Sequence, residues 1–318
     1  MTNSRFLALC LTVFVNAIAI YVTLSTGTQG ADGACPGADE KRCREQGKLV
    51  LQNGNWYSPC KPYGLYGGHD LICEDIVSCP AAGGFGKFLQ AVTGNCRSKT
   101  FDGYYGLDGL TFGILDWTSD NLPALFEIYK RRFPEQFDAI FGPLHLPFNG
   151  TCLDPKWVCE HNCSGALNCD PTFRPVFERS VRDPDLQKGQ LEFALQQFSE
   201  RIRMFQGLGL GLGLKTQYGL VSMAVVANNL HLERSECRPK NWMQECKSRG
   251  TEPQIVDCML DKYVQGACRG GDDNAAKRRR DVIDQVFRNH KDDLYYSPEL
   301  SAIESCSSKW GQSSGVHP

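Results

Sequence analysis

The chain has 318 residues, of which 42% are hydrophobic and 22% charged, a composition typical of a folded globular protein with one large domain or two small ones. The formal net charge of −2 excludes a broadly basic surface, so we expect no nucleic-acid partner. Neither a phosphate-binding glycine loop after a strand nor a nucleophile elbow is present, and we expect no cofactor.

The N-terminus has the pattern of a targeting segment. Arg5 precedes an apolar run from Phe6 to Leu24, and small and polar residues follow through Gly30. This pattern predicts a signal peptide over residues 1–30. The apolar run nearly matches the thickness of a bilayer, so an uncleaved signal anchor is the alternative. We therefore predict a secreted or periplasmic protein, or one anchored in the membrane and facing outside, with membrane contact only if the segment stays uncleaved.

Cysteine usage agrees with export. Of the 16 cysteines, all but Cys10 lie beyond the apolar run, and that density in an exported chain predicts disulfides. Residues 31–84 are rich in Cys and show little periodicity, which predicts an irregular, disulfide-bonded segment. The closely spaced cysteines between 152 and 169, together with His161, resemble a metal knuckle. Disulfides are the preferred interpretation, and we expect no metal site.

Apolar residues at helical spacing predict a mainly α protein with a small β element, an α+β chain. Helices are expected over 85–93, from Ser119 or Asn121 to Pro134, from Asp183–Pro184 through Phe205, over 216–231 and over 275–288. Between the first two helices, residues 101–117 favour turns and extended structure, because glycines alternate with Thr, Phe, Ile and Trp. The main domain is expected over 85–290, and residues 291–318 form a C-terminal tail.

The segment from Asp108 to Trp117 is the most informative part of the sequence for function. Asp108 sits beside a glycine turn, and Thr111 precedes a short apolar run. A carboxylate that activates water and a hydroxyl that holds this water are the parts needed for inverting glycoside cleavage. Asp-Gly pairs also cap turns, so Asp108 and the earlier Asp102 carry both interpretations.

This segment, Asp-Gly-Leu-Thr-Phe-Gly-Ile-Leu-Asp-Trp, continues into Ser-Asp-Asn-Leu-Pro-Ala-Leu-Phe-Glu-Ile-Tyr. Together they resemble the catalytic loop, strand and next helix of the family 46 chitosanases, in the lysozyme-like superfamily. The stretch from Asp183 to Val221 resembles the long central helix pair of that family. The resemblance covers residues 85–235, about half the chain. It implies a lysozyme-like helical domain and a polysaccharide partner, a β-1,4 amino-sugar polymer of the chitosan or peptidoglycan type.

The resemblance also implies roles for individual residues. The family uses a loop aspartate as general base, a threonine that holds the water and a glutamate late in the preceding helix as general acid. Thr111 matches the threonine, Asp108 is the preferred match for the base and Asp102 is the second choice. Gly94 stands where the acid is expected, and no Glu occurs between Glu74 and Glu127.

Three hypotheses follow from the missing acid. Glu74 reaches in from the disulfide-rich segment, or Asp102 and Asp108 divide the acid and base roles, or the fold keeps a glycan groove and has lost catalysis. The last hypothesis makes the protein a catalytically inactive glycan-binding or inhibitor-like protein. Aromatic faces suit sugar rings, so Tyr104, Tyr105 and Trp117 are candidate substrate-binding residues, although Trp117 also fits a core position at the start of a helix.

Overall fold

The protein is described here by a computed structural model that covers residues 50–52, 55–57, 70–97, 99–105, 111–117, 121–154, 173–206, 213–229, 239–265 and 274–312. The described residues form helices and three short two-stranded antiparallel sheets. The prediction of a mainly α chain with a small β element is therefore confirmed. The predicted N-terminal targeting segment, Cys10, His161 and the glycine-leucine run 207–212 lie outside these residues.

The elements follow one another as three hairpins interleaved with helices. The first part contains β1 (Val50–Gln52), β2 (Asn55–Tyr57), α1 (Leu71–Ser78), α2 (Gly83–Val92), β3 (Tyr104–Tyr105) and β4 (Thr111–Phe112). The middle contains α3 (Leu122–Arg132), α4 (Pro134–Phe141), β5 (Phe148–Asn149), β6 (Cys152–Leu153), α5 (Phe173–Ser180), α6 (Pro184–Phe205) and α7 (Gln217–Asn229). The last part contains α8 (Pro239–Cys246), α9 (Glu252–Val264), α10 (Asn274–Val286) and α11 (Leu300–Glu304).

The core is built around α7. Its residues 217–226 are all buried, and it packs against α2, α6 and α9. A helix that is apolar around its whole circumference is stable only when it is enclosed in this way. On the neighbouring α6, Phe198 lies with its ring centroid 5.0 Å from that of Phe88 of α2. Burial of such large aromatic side chains supplies much of the stability of the fold.

The predicted helices are present within one to a few residues at their ends. Asp183 caps α6, accepting hydrogen bonds from the backbone N–H groups of Asp185 and Leu186. The helix expected to stop at Pro134 ends at Arg132, and Pro134 opens a further helix, α4, that was not predicted. Proline is favoured in the first turn of a helix, where its missing N–H has no partner to lose.

The segment 31–84 contains more regular structure than its sequence predicts. It holds the β1–β2 hairpin and the eight-residue helix α1. The helix buries Ile72, Cys73 and Ile76 on one face, a stripe too short to stand out against the surrounding Cys and Gly residues. Helices α8 and α9 were not predicted either, although Thr251 and Gln254 form a capping box at the start of α9.

Disulfides join neighbouring helices at two places and distant parts of the chain at a third. Cys73–Cys96 links α1 to the exit of α2, Cys246–Cys258 links α8 to α9, and Cys79–Cys306 ties the C-terminal tail to the α1–α2 junction. Cys152 is also disulfide-bonded. The predicted disulfides are confirmed at these positions, and they fit an extracellular protein. In the ranges described above, none of the helices combines the length and the apolar character that crossing a bilayer requires.

Candidate functional site

The candidate loop 106–110 lies in sequence between the paired strands β3 and β4. Tyr104 pairs with Phe112 and Tyr105 with Thr111 across the two strands. The loop 106–110, with Asp108, lies outside the described residues, as do the side chains of Tyr104, Tyr105 and Thr111. What the structure defines is the base of the hairpin, residues 99–103 and 112–117, which we call the hairpin foot.

The exit of α2, where the family acid is expected, is a tightly bonded turn. Gly94, Asn95 and Cys96 adopt successive left-handed conformations, with φ of 58°, 61° and 62°. The Thr93 hydroxyl donates to the carbonyl of Leu89 (2.6 Å) and accepts from the backbone N–H of Cys96 (2.9 Å). A glutamate in place of Gly94 would add roughly 1–2 kcal/mol of left-handed strain. The local backbone therefore favours glycine at this position.

Asp70 joins α1 to the hairpin foot. Its side chain, only 4% exposed, caps α1 through the N–H groups of Ile72 and Cys73, at 2.9 and 3.0 Å. Its second oxygen accepts from the N–H of Phe101 at 2.6 Å. Burial raises the pKa of Asp70 to about 6, the bonds from Cys73 and Phe101 oppose this rise, and the charge of Asp102 adds to it. Asp70 and Asp102 thus form an electrostatically coupled carboxyl pair.

The predicted carboxylates Asp102 and Glu74 differ in their access to solvent. Asp102 is 3% exposed and lies behind the surface of the foot. Glu74 lies in the first turn of α1 and is half-buried. Since Asp70 bonds the start of α1 to Phe101, Glu74 is carried by the helix that abuts the foot. Of the two, Glu74 retains the access that contact with a polymer requires.

Gln190 of α6 connects the two halves of the foot. Its side-chain amide donates to the carbonyl of Phe101 at 2.9 Å and accepts from the N–H of Ile114 at 3.2 Å. Gly113 lies against it with φ of 75°, and its N–H donates to the carbonyl of Gly103 at 2.9 Å. A Cβ at Gly113 would stand 2.4 Å from Oε1 of Gln190, so the turn requires glycine both sterically and conformationally.

Trp117 is the last residue of the foot and lies in the core. It exchanges both backbone hydrogen bonds with Phe112, at 2.8 and 2.9 Å. Its side chain is 2% exposed, its ring lies 5.0 Å from that of Phe193, and its indole N–H donates to Gln197 at 2.9 Å. Of the two interpretations of Trp117, the structure therefore agrees with a core residue. Its ring is not presented to a sugar.

An ion pair between Lys99 and Asp116 closes the foot from both sides of the hairpin. The side chains are 12% and 29% exposed. Burial lowers the pKa of Lys99, Asp116 opposes this effect, and the positive charge of Arg279 adds to it. Asp116 has a left-handed φ of 54°, and among the described residues its Oδ1 has no hydrogen-bond partner. Left-handed backbone costs about 1–2 kcal/mol and an unsatisfied buried acceptor about 1–3 kcal/mol.

Sequence reasoning missed two residues of the foot, Lys99 and Asp116, and two residues that bond to it, Asp70 and Gln190. Only Asp70 carried a local signal, because an aspartate directly before an apolar run is a helix start. Lys99 and Asp116 bond across the hairpin, and Gln190 reaches the foot from a distant helix. No pattern along the chain indicates such pairings.

Within the described ranges no group of three or more His, Cys, Asp or Glu side chains is placed to hold a metal ion. Cys152, from the predicted knuckle, is engaged in a disulfide. Comparison of the chain with protein-family models, with curated proteins and with solved structures finds no match.

Proposed function

We propose that the protein is an exported glycoside hydrolase-like protein that cleaves a β-1,4 amino-sugar polymer of the chitosan or peptidoglycan type. Asp108 serves as the general base and Thr111 holds the attacking water. Glu74 serves as the general acid in place of the glutamate that the family carries late in the helix. The lysozyme-like fold and the membership of the family 46 chitosanases are part of this proposal.

One observation carries the proposal: the hairpin that bears Asp108 and Thr111 rests on the same turn to which α1, the helix of Glu74, is bonded. Asp70 makes that bond through the N–H of Phe101 at 2.6 Å. Acid/base hydrolysis needs two carboxylates at a fixed separation, and this bond ties the helix of Glu74 to the residues that precede β3. Gln190 and the Phe112–Trp117 pair hold this support rigidly, which favours a fixed distance between acid and base.

The first test removes the base. Asp108→Asn is expected to abolish release of reducing ends from soluble chitosan or peptidoglycan without lowering the melting temperature, because the amide keeps the shape of the side chain and loses its basicity. Unchanged activity in this variant would remove Asp108 from the mechanism. The configuration of the newly released sugar, followed by NMR, reports whether cleavage inverts the anomeric centre.

The second test concerns the acid. Glu74→Gln is expected to lower kcat about 10²–10⁴-fold, which is the range for loss of a general acid or base. Glu135→Gln is the matched control, because Glu135 lies in the first turn of another eight-residue helix, α4, and is exposed. Equal activity of the two variants would exclude Glu74 as the acid.

A catalytically inactive glycan-binding protein is the second candidate function. It is favoured by the glycine at position 94 and by the burial of Asp102, which takes that carboxylate away from the surface. This candidate predicts that the wild-type protein sediments with insoluble chitosan or peptidoglycan and releases no reducing ends. Absence of both binding and cleavage would contradict both candidates.

A further inference from the structure

The β5–β6 hairpin has an exposed asparagine next to its turn. Asn149 pairs with Cys152, so Gly150 and Thr151 form a two-residue turn between the strands. Of these two turn residues only Gly150 has a positive φ, of 64°, which is the pattern of a type II′ hairpin turn. Asn149, Gly150 and Thr151 are all exposed, and a Cβ at Gly150 would find no atom of the described residues within 4 Å. The tip of this hairpin therefore borders open space.

The adjacent residues of the hairpin anchor it to the helices. Leu153 is 1% exposed, and its N–H donates to Glu127 of α3 at 3.0 Å. The ring of Phe148 lies 5.3 Å from that of Phe137 of α4. Successive residues of a strand point to opposite faces, so Asn149 points away from the face that Phe148 packs with. The hairpin is fixed on the body of the protein while Asn149 stays accessible.

The side-chain amide of Asn149 is available for a covalent bond. Within the described part of the chain, no residue bonds to this amide or to the hydroxyl of Thr151. Asn121 differs, because its side chain accepts a hydrogen bond from Gln197 at 3.0 Å. Asn149 is also followed by Gly and Thr, which makes it an acceptor sequon for N-linked glycosylation, Asn-x-Ser/Thr with x other than Pro.

We propose that Asn149 is a site of N-linked glycosylation. The inference goes beyond the proposed hydrolase function and does not depend on it. A glycan is bulky and solubilising and needs a surface position, which the tip of the β5–β6 hairpin provides. The modification takes place in the lumen of the secretory pathway, where disulfides also form, and the disulfides of this chain fit that compartment.

The chemistry is a group transfer without oxidation or reduction. The donor is an oligosaccharide linked to a polyprenyl diphosphate. Nδ2 of Asn149 forms a bond to the anomeric carbon of the first sugar, and the bond between that carbon and the diphosphate oxygen breaks. The amide gives up one proton, and the polyprenyl diphosphate is the leaving group.

The experiment expresses the full-length protein in a eukaryotic secretory cell line. Peptide N-glycosidase in heavy-oxygen water converts an asparagine that carried a glycan into a labelled aspartate, which peptide mass spectrometry detects. We expect label at Asn149 in most of the exported molecules. Peptide mapping separates this position from a second sequon at Asn162, which lies outside the described residues. Asn289 is the internal control, because it is exposed but has a lysine two positions on, and it should carry no label.

A matched pair of substitutions tests the need for the hydroxyl. Thr151→Val keeps the branched shape of the side chain and removes its hydroxyl, and occupancy at Asn149 is expected to fall below about a tenth of the wild-type value. Thr151→Ser keeps the hydroxyl and is expected to retain the glycan. Because Thr151 is exposed and its side chain has no partner among the described residues, both variants should keep the wild-type melting temperature.

The outcomes are decisive in both directions. Label at Asn149 that is lost in Thr151→Val and kept in Thr151→Ser supports the proposal. An exported wild-type protein without label at Asn149 overturns it, as does label that persists in Thr151→Val. Retention of the chain in the cytosol overturns it as well, since the transfer requires export. Glycan occupancy is measured without the polymer, so a failure of the cleavage assays overturns the hydrolase proposal alone.

Discussion

Two ionic sites of the molecule are built in opposite ways. Asp257 of α9 accepts hydrogen bonds from the hydroxyl of Tyr218, from Arg280 at 3.0 Å and from Lys291 at 3.0 Å to each oxygen. Asp116 at the hairpin foot has a left-handed backbone, and among the described residues its one ionic partner is Lys99. The carboxylate of Asp257 therefore has several partners, whereas that of Asp116 has a single ionic partner among the described residues.

The two sites differ in how many partners each carboxylate has. Arg280 also bonds Asp261 at 3.1 Å and Asp284 at 2.7 Å, so this network joins α7, α9 and α10 into one unit. Burial and the bond to Asp257 raise the pKa of Tyr218, which keeps its hydroxyl a donor. Fully partnered networks rigidify a fold, whereas a sparsely partnered pair on a strained residue indicates a place where stability has been exchanged for function.

The comparison is tested most strongly at Asp257. Asp257→Ala leaves the charges of Arg280 and Lys291 without their common partner, and we expect a loss of about 4 kcal/mol in the free energy of unfolding. The melting temperature should fall by about 10 °C, as measured by circular dichroism. Hydrogen–deuterium exchange of amides 106–110 should stay at the wild-type value. A fall of less than 3 °C, or faster exchange in the loop, would show that the two sites do not differ in kind.

The second prediction concerns pH and the buried cap Asp70. Its pKa is raised from 3.8 to about 6, so the folded state holds a proton that the unfolded state releases. Stability from this group is therefore full below pH 3.8 and falls as the pH rises to about 6, by roughly 3 kcal/mol. Asp70→Asn keeps a good capping side chain and removes the titration. The stability of the variant relative to wild type should rise between pH 4 and about 7 by this amount.

Asp183→Asn is the control for that measurement. Asp183 caps α6 with the same pair of backbone bonds, at 3.0 and 2.9 Å, and is only half-buried. The Asp183→Asn variant is measured beside Asp70→Asn at each pH. Parallel pH profiles for the two variants, from urea unfolding at each pH, would contradict the assignment of a raised pKa to Asp70.

The sequence alone is sufficient to predict the long helices, but it is insufficient to predict short helices such as α1. The helices α6 and α7 were predicted because long apolar patterns and the Asp183–Pro184 start signal agree. The helix α1 was missed because it is stabilised from outside, by the Cys73–Cys96 disulfide and by the bond from Asp70 to Phe101. Stabilisation that comes from tertiary contacts leaves little periodic trace in a short segment.

The same limit applies to the candidate site. Asp108 and Thr111 were selected from a local motif, and Trp117 was given two interpretations because an aromatic residue near a helix start fits both. The bonds that define the foot connect Lys99 with Asp116 and Phe101 with Gln190, residues far apart in sequence. Only folding brings them together, so their roles could not be predicted from spacing.

The smallest expected effect concerns Gly113. At this position the hairpin foot is stabilised by close packing and hydrogen bonds, without an ion pair. Gly113→Ala places a Cβ 2.4 Å from Oε1 of Gln190 and 2.8 Å from the ring of Trp117, on a backbone with φ of 75°. We expect a loss of about 2 kcal/mol, from left-handed strain and local overpacking. Gly142→Ala is the control, because a Cβ there meets no atom within 4 Å and the backbone is right-handed.

Since Gln190 must move to admit the new methyl group, Gly113→Ala should also speed exchange of the Ile114 amide, which donates to that side chain. A variant with wild-type stability and wild-type exchange at Ile114 would show that the foot tolerates displacement of Gln190. The hydrogen bonds of Gln190 would then not account for the rigidity assigned to the hairpin foot.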